Sequence, residues 1–552
     1  MDRILLLAIL VPFLISSCYA VGSDVQLSFP RPKPPIAGKA PPGKVFKRSS
    51  GEEIPPYDTI YYFDQLIDHN NASRGTFKQR YWHTAEFYEP GGPIILYSPG
   101  ESNAEGYTSR LTNSSVTGHM AQIFNGATVV LEHRFYGFSN PVEDLKGSTL
   151  AKYHTIEQAI GDLEYFVKNV ELPMEVGEGK VPWILAGCSY MGSLTAWTMA
   201  NDFWRYFEPI REYMPKNCSA DVQAVITHVD KTIGSNNKAE IQKLKANFGM
   251  SDVTNADDFV ATLKRPLSRW QEIAPDSGPK TVFGEFCDAL EVDEKGKHAP
   301  KEGWGVKKAL DTWGKYYRDT HLKSICGKLN IGECLNSQPA NATVDVKSIN
   351  VTIDNESRSW KWFVCNEVGW HQVGSPADEK TPRLVSRYYT PEYSRKSCKF
   401  EFPDAPTDGV KGVNQTISTY GGWNLKADRL VSVVGRRDPW REATLGASTL
   451  NRKSTDRMPI IFATGGTHCA DMSMRYATLD PTIGAAIDEG LWYMRKWMEE
   501  WDAGTGDSDN SKDADNDANQ SESESENKGG KSQGNGHGGL HELKGWKFRV
   551  SE

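Results

Sequence analysis

One serine, one aspartate and one histidine, each within a few residues of the end of an apolar run, are the residues of this 552-residue chain whose types and order could perform acyl transfer. Ser189 follows Val181-Pro-Trp-Ile-Leu-Ala-Gly-Cys188 and precedes Tyr190-Met-Gly-Ser-Leu194, which places it between a buried strand and a helix. Such a turn can lift the hydroxyl away from the sheet, while the helix N-terminus supports developing negative charge. The pattern G-x-S-x-G is met in part: Gly187 precedes Ser189 by two, Met191 stands where the second glycine belongs, and Gly192 comes one later. On this stretch alone, a serine in a tight structural turn is an equally good account. A serine hydroxyl is a weak nucleophile at neutral pH and needs a base, which in turn needs an orienting carboxylate. Both occur downstream, in Gly435-Arg-Arg-Asp438-Pro-Trp440 and Thr464-Gly-Gly-Thr-His468-Cys469.

The elements that must position these groups are short apolar runs alternating with helical patterns, the signature of a mostly parallel sheet. Strands are predicted at 93–97, 127–131, 183–186, 430–434 and 459–463, and helices at 155–170, from 190 to about 207, and at 483–501. Ser189, Asp438 and His468 each follow the carboxyl end of a strand, where open α/β sheets build their sites. Their chain order is that of the α/β-hydrolase fold. In that arrangement the oxyanion is held by the backbone N–H of Tyr190 and a second N–H from the loop after 93–97, with Gly100 and Glu101 as the candidates. His133 also follows a strand but precedes the serine, and is read as shaping the site floor. Asp471 is read as capping the next turn. Residues 215–405 break the rhythm and form an inserted, mainly helical region, which is predicted to be a cap over the site.

The remaining sequence sets the compartment. Residues 1–20 carry Arg3, an apolar stretch at 4–15 and a small-residue end, and read as a secretory signal peptide. Asn-X-Ser/Thr sites at Asn71, Asn113, Asn217, Asn341, Asn350, Asn355, Asn414 and Asn519 are candidate glycosylation acceptors. Beyond Cys18 there are eight cysteines, of which Cys218, Cys287, Cys326, Cys334, Cys365 and Cys398 cluster mid-chain as disulfide candidates with 15 pairings open. Cys188 and Cys469 flank Ser189 and His468, and either form a fourth bridge or remain two buried thiols. No closely spaced ligand pair suggests a metal. A secreted or vacuolar/lysosomal protein is expected.

Composition narrows the function classes. With 38% hydrophobic residues and a mean hydropathy of -0.53, the chain can bury a large core and does not read as membrane-spanning. Much of the net charge of -8 sits in 507–526, so the body has no basic excess to attract nucleic acid. The expected organisation is a Pro-rich segment at 21–56, with a possible propeptide ending at Lys47-Arg48; a first hydrolase part at 57–214; the cap at 215–405; a second hydrolase part at 406–503; and an acidic, mostly disordered tail at 504–552.

Six ordered blocks span about 57–501: Phe63-Asp-Gln-Leu-Ile-Asp-His69, Glu132-His-Arg-Phe-Tyr-Gly137, Gly187-Cys-Ser-Tyr190 with Gly192, Trp362-Phe-Val-Cys-Asn-Glu-Val-Gly-Trp-His-Gln372, Asp438-Pro-Trp440 and the glycine-rich turn before His468. Together they resemble the prolyl carboxypeptidase and dipeptidyl-peptidase II family of serine peptidases, which includes thymus-specific serine protease and fungal prolyl endopeptidases. The resemblance implies a hydrolase domain with a helical cap, the triad Ser189, Asp438 and His468, no cofactor, and cleavage of peptide bonds beside proline. Trp440 and Met191, each two residues past a triad member, are the candidates for a proline pocket. Peptides or proteins are the expected substrates, and a homodimer is one assembly kept open. An esterase or lipase, or an inactive binding homologue, are the competing readings.

Overall fold

The computed structural model describes residues 38–174, 180–195, 203–337, 350–375, 381, 383–407, 409–509 and 546–551. The predicted signal peptide, residues 21–37 of the Pro-rich segment, Asn341, Asn519 and residues 510–545 of the tail lie outside the described residues.

Short, continuous apolar runs build the central strands of the sheet. After a small antiparallel pair, β1 (Val45–Phe46) with β2 (Glu53–Ile54), come β3 (Tyr61–Leu66), β4 (Thr76–Thr84), β5 (Ile94–Tyr97), β6 (Ala127–Leu131) and β7 (Trp183–Cys188). Then follow β8 (Leu430–Gly435), β9 (Ile460–Ala463) and β10 (Trp546–Ser551). The eight-stranded sheet has the order β3-β4-β6-β5-β7-β10-β8-β9, antiparallel at β3-β4 and β4-β6 and parallel elsewhere. Ile94, Leu96, Val129, Leu131 and Leu185 face one core, whereas Ile95, Tyr97, Val130, Ile184 and Ala186 face the other. Both faces are therefore covered, which is why these strands read as continuous apolar runs. Helix Ile156–Asn169, capped by the Thr155 side chain, covers the first face. Helices Val116–Phe124 and Pro481–Asp509 cover the second. This is an α/β-hydrolase architecture.

Between β7 and β8 the chain is helical, and it carries its own core running from Phe203 to Tyr389, built on helices such as Lys216–Gly234, Val282–Glu291 and Val306–Tyr316. This is the cap. Cys218–Cys287, Cys326–Cys334 and Cys365–Cys398 are bridged, which resolves the pairings left open by the sequence. The cap docks on the hydrolase part beside the site, where the Trp270 indole N–H donates to the Arg437 carbonyl at 2.8 Å.

The tail expectation needs correction at both ends. Residues 504–509 continue helix Pro481–Asp509, and 546–551 form β10 between β7 and β8, with Trp546 opposite Trp183 and Phe548 opposite Leu430. The backbone N–H and C=O groups that β7 and β8 present to this slot must be satisfied, and a returning strand satisfies them. The sequons at Asn71, Asn113, Asn350 and Asn414 are exposed, and those at Asn217 and Asn355 are half-buried. Among the described residues, no helix is long and apolar enough to cross a membrane.

Candidate active site

Ser189 occupies the turn between β7 and helix Tyr190–Thr195 with a φ of 56°, a left-handed conformation that projects its side chain away from the sheet. The turn is tight enough to require glycine behind it: a Cβ on Gly187 would lie 2.8 Å from the Met191 carbonyl carbon. Met191 itself, expected at the substrate pocket, is 1% exposed and belongs to the core beneath the elbow. Ser189 sits in the left-handed turn and lines the cavity, whereas Met191, in the first turn of the helix that follows, is carried into the core. Its bulk is accommodated by Gly100, on which a Cβ would come within 2.7 Å of the Met191 Cγ.

Asp438 follows β8 and His468 follows β9, and both are buried. Asp438 Oδ2 lies 2.9 Å from His468 Nδ1, and His468 Nε2 lies 3.1 Å from Ser189 Oγ. The other carboxylate oxygen, Oδ1, accepts the Trp440 backbone N–H at 2.9 Å, so the aspartate is held from both sides. Cys188 and Cys469 are disulfide-bonded, with Cα atoms 5.8 Å apart, which ties the residue before the serine to the residue after the histidine.

Glu101 plays a part that spacing did not reveal. Its Oε1 accepts from Ser189 Oγ at 3.2 Å, so the serine proton has two acceptors within reach, His468 and Glu101. Burial lowers the His468 pKa, but the charge and hydrogen bond of Asp438 outweigh it, with Glu101 and Asp471 adding; the net direction is upward from 6.5. Asp471, expected as a cap, lies buried inside the turn Ala470–Met472 and acts through this charge. Of the oxyanion candidates, Tyr190 and Glu101 line the cavity beside Ser189, whereas the Gly100 N–H is donated to Ser98 Oγ at 3.2 Å. That bond removes Gly100 from the oxyanion position.

A cavity of about 740 Å³ opens over the serine and is walled by the cap. Near Ser189 its wall is aromatic: the rings of Tyr190 and Trp360 are 5.7 Å apart, Trp360 and Trp370 5.9 Å, Trp370 and Trp440 5.4 Å, and Trp440 and His468 6.4 Å. Trp440 is fixed by its indole N–H, which donates to Gln271 Oε1 at 3.0 Å, and by stacking on Phe203 at 5.4 Å. Trp360 and Gln271 escaped the sequence reading because they come from the cap. Trp370 belongs to the stretch Trp362–Gln372, which nothing in the sequence ties to the pocket.

His133 supports this floor from below. Burial pushes its pKa down to about 4, its Nδ1 pairs with the Arg134 carbonyl at 2.7 Å, and its Nε2 lies 3.3 Å from the Tyr190 hydroxyl. Its neighbours are anchored in the same way, Arg134 by an ion pair to Asp162 and Glu132 by one to Arg80 at 2.6 Å. Among the described residues, no group of three or more His, Cys, Asp or Glu is arranged to hold a metal ion.

Comparison with known proteins adds an independent line. The family described as serine carboxypeptidase S28 matches residues 65–202 and 198–486. Serine protease vicPa of Bipolaris victoriae (strain FI3) is 32% identical over 480 residues, 79% of this chain and 88% of that protein. A probable extracellular serine carboxypeptidase of Arthroderma benhamiae is 30% identical over 80% of this chain and 67% of its own length. Thymus-specific serine protease of Homo sapiens is 22% identical over 80% of this chain and 87% of that one.

Proposed function

The chain belongs to the serine carboxypeptidase S28 family, and from that premise we propose that it is a secreted, glycosylated serine peptidase that hydrolyses peptide bonds next to proline. The observation that carries this reading is the hydrogen-bonded series Asp438, His468, Ser189 at the floor of an aromatic-walled cavity. His468 takes the Ser189 proton as the hydroxyl attacks the scissile carbonyl, then protonates the leaving amine; Asp438 fixes the imidazole tautomer. The oxyanion is held by the backbone N–H groups of Tyr190 and Glu101. Water then attacks the acyl-enzyme with His468 as base, releasing the acid product. The four disulfides, the exposed sequons and a relative named as extracellular support secretion.

Proline is rigid, apolar and lacks an N–H, so a pocket selective for it presents ring faces and no polar group that the imino acid would leave unpaired. Trp360, Trp370 and Trp440 offer such faces beside Ser189. The test is turnover of paired peptides with proline or alanine at the cleaved position. Trp440→Ala is expected to lower kcat/KM for the proline peptide by about 10- to 100-fold and to narrow its advantage over alanine. A variant that only melts earlier, with the proline-to-alanine ratio intact, would show that Trp440 is packing and defeat its assignment.

The raised His468 pKa gives a pH profile. The base must be neutral to accept the serine proton, so kcat/KM falls as pH drops through the histidine's value, and that limb is expected above 6.5. Glu101→Gln removes one of the charges that raise it and should move the limb to lower pH. An unchanged limb in this variant would show that the Glu101 charge does not act on His468.

A further inference from the structure

Ser189 has one hydroxyl hydrogen to give and two buried acceptors beside it. His468 Nε2 lies 3.1 Å from Ser189 Oγ, and Glu101 Oε1 lies 3.2 Å from the same oxygen. Both acceptors line the cavity over the serine yet are withdrawn from bulk water, Glu101 at 4% exposure and His468 at 1%. Attack on a scissile carbonyl uses only one of these bonds, since the proton must pass to His468. While the hydroxyl donates to Glu101 it is turned away from its base, so that bond does nothing for formation of the acyl-enzyme. The charge of Glu101 does help to hold a protonated His468, but that help is equal in both halves of the reaction, because the histidine takes a proton in each.

The second half of the reaction removes the mismatch between one hydrogen and two acceptors. Once Oγ is esterified it has nothing to donate, and Glu101 Oε1 faces an oxygen that no longer supplies a proton. The attacking molecule is now water, which carries two hydrogens. It must stand beside the acyl carbon, one bond from Oγ, and the two acceptors lie at nearly equal distances from that Oγ.

Resting on the reading of the site as a serine peptidase, we propose that Glu101 is a catalytic residue of deacylation, its carboxylate accepting one hydrogen of the hydrolytic water while His468 Nε2 accepts the other. The proton at His468 is transferred as the water oxygen bonds to the acyl carbon. The tetrahedral intermediate then collapses, the bond between the acyl carbon and Oγ breaks, and His468 returns the proton to Oγ. The hydrogen held by Glu101 stays on its oxygen and leaves with the carboxylic acid product. Glu101 orients the water and exchanges no proton. Methanol has a single hydroxyl hydrogen, which goes to His468, so methanolysis of the acyl-enzyme gains nothing from Glu101.

The test uses the full chain and the p-nitrophenyl ester of a peptide acid ending in proline, at a pH above the histidine limb. Rapid release of nitrophenol reads acylation, and decay of the acyl-enzyme reads deacylation. Glu101→Leu is expected to slow deacylation by about 10- to 100-fold more than acylation, the effect of losing a hydrogen bond to a charged group. With methanol added, its ratio of methyl ester to free acid should exceed that of the parent by a similar factor. A merely structural change at the site slows both steps and leaves the product ratio alone. Glu101→Gln keeps the shape of the side chain and one accepting oxygen, and should move both readouts in the same direction by less. It carries the test where a thermal melt shows the leucine variant unfolded. Acylation slowed as much as deacylation, or an unchanged methanol partition, overturns the proposal. Failure of the peptidase reading has a different signature, which is nitrophenol release by the unsubstituted protein without cleavage of the matching peptide.

Discussion

Ser189→Ala yields a folded protein whose kcat for a proline-containing peptide is lower by about 10^4-fold or more. The expectation follows from the arrangement around the hydroxyl. Its oxygen is 3.1 Å from His468 Nε2, whose opposite nitrogen is 2.9 Å from a fully buried carboxylate, so on the proposed mechanism the nucleophile depends on the preorganised base His468 rather than on Glu101, the other acceptor within reach. His468→Ala should cost a similar factor, and the double variant little more than either alone, because the two act as one unit. Removing one hydroxyl from a half-buried position leaves the core untouched, so far-UV circular dichroism and the thermal midpoint should match the parent. A fluorophosphonate probe should label the unsubstituted chain stoichiometrically at Ser189 and the alanine variant not at all. Turnover that persists in Ser189→Ala above contaminant level, or labelling at another residue, would place the nucleophile elsewhere.

The parts of the site that could be read before the fold are those that strands deliver. Ser189, Asp438 and His468 each follow a run that both sheet faces bury, and a buried parallel strand has a strong local signal. Trp440 was within reach for the same reason, two residues beyond the acid. What stayed hidden depends on direction or on distance along the chain. Met191 has the right spacing from the serine but packs into the core, because the left-handed turn at Ser189 redirects the chain, which pattern matching to G-x-S-x-G does not contain. The Glu101 carboxylate reaches Ser189 across 88 residues. Trp360 and Gln271 come from cap helices that read only as a break in rhythm. β10 is six residues following a long polar stretch, and nothing local marks it as the partner of both β7 and β8.

The Cys188–Cys469 bridge couples these two kinds of information and leads to the second large expected effect. Cys188 ends β7 and Cys469 follows the catalytic histidine candidate, so the bond joins the two sequence-distant halves of the site across a separation of 281 residues. Removing it as Cys188→Ala/Cys469→Ala is expected to destabilise the protein by about 2–5 kcal/mol. In the loop-entropy account its effect exceeds that of Cys326–Cys334, separated by only 8 residues, by about 3 kcal/mol. The comparison between the two double variants therefore carries the argument, since both remove one bridge and two sulfurs. The variant lacking the long-range bridge should melt well below the one lacking the cap bridge. It should also react more slowly with a fluorophosphonate at a temperature where both remain folded, because Ser189 and His468 are then held together by hydrogen bonds alone. Equal melting temperatures with equal labelling rates would mean that the sheet and β10 already fix the triad, and that the bridge contributes nothing to its geometry.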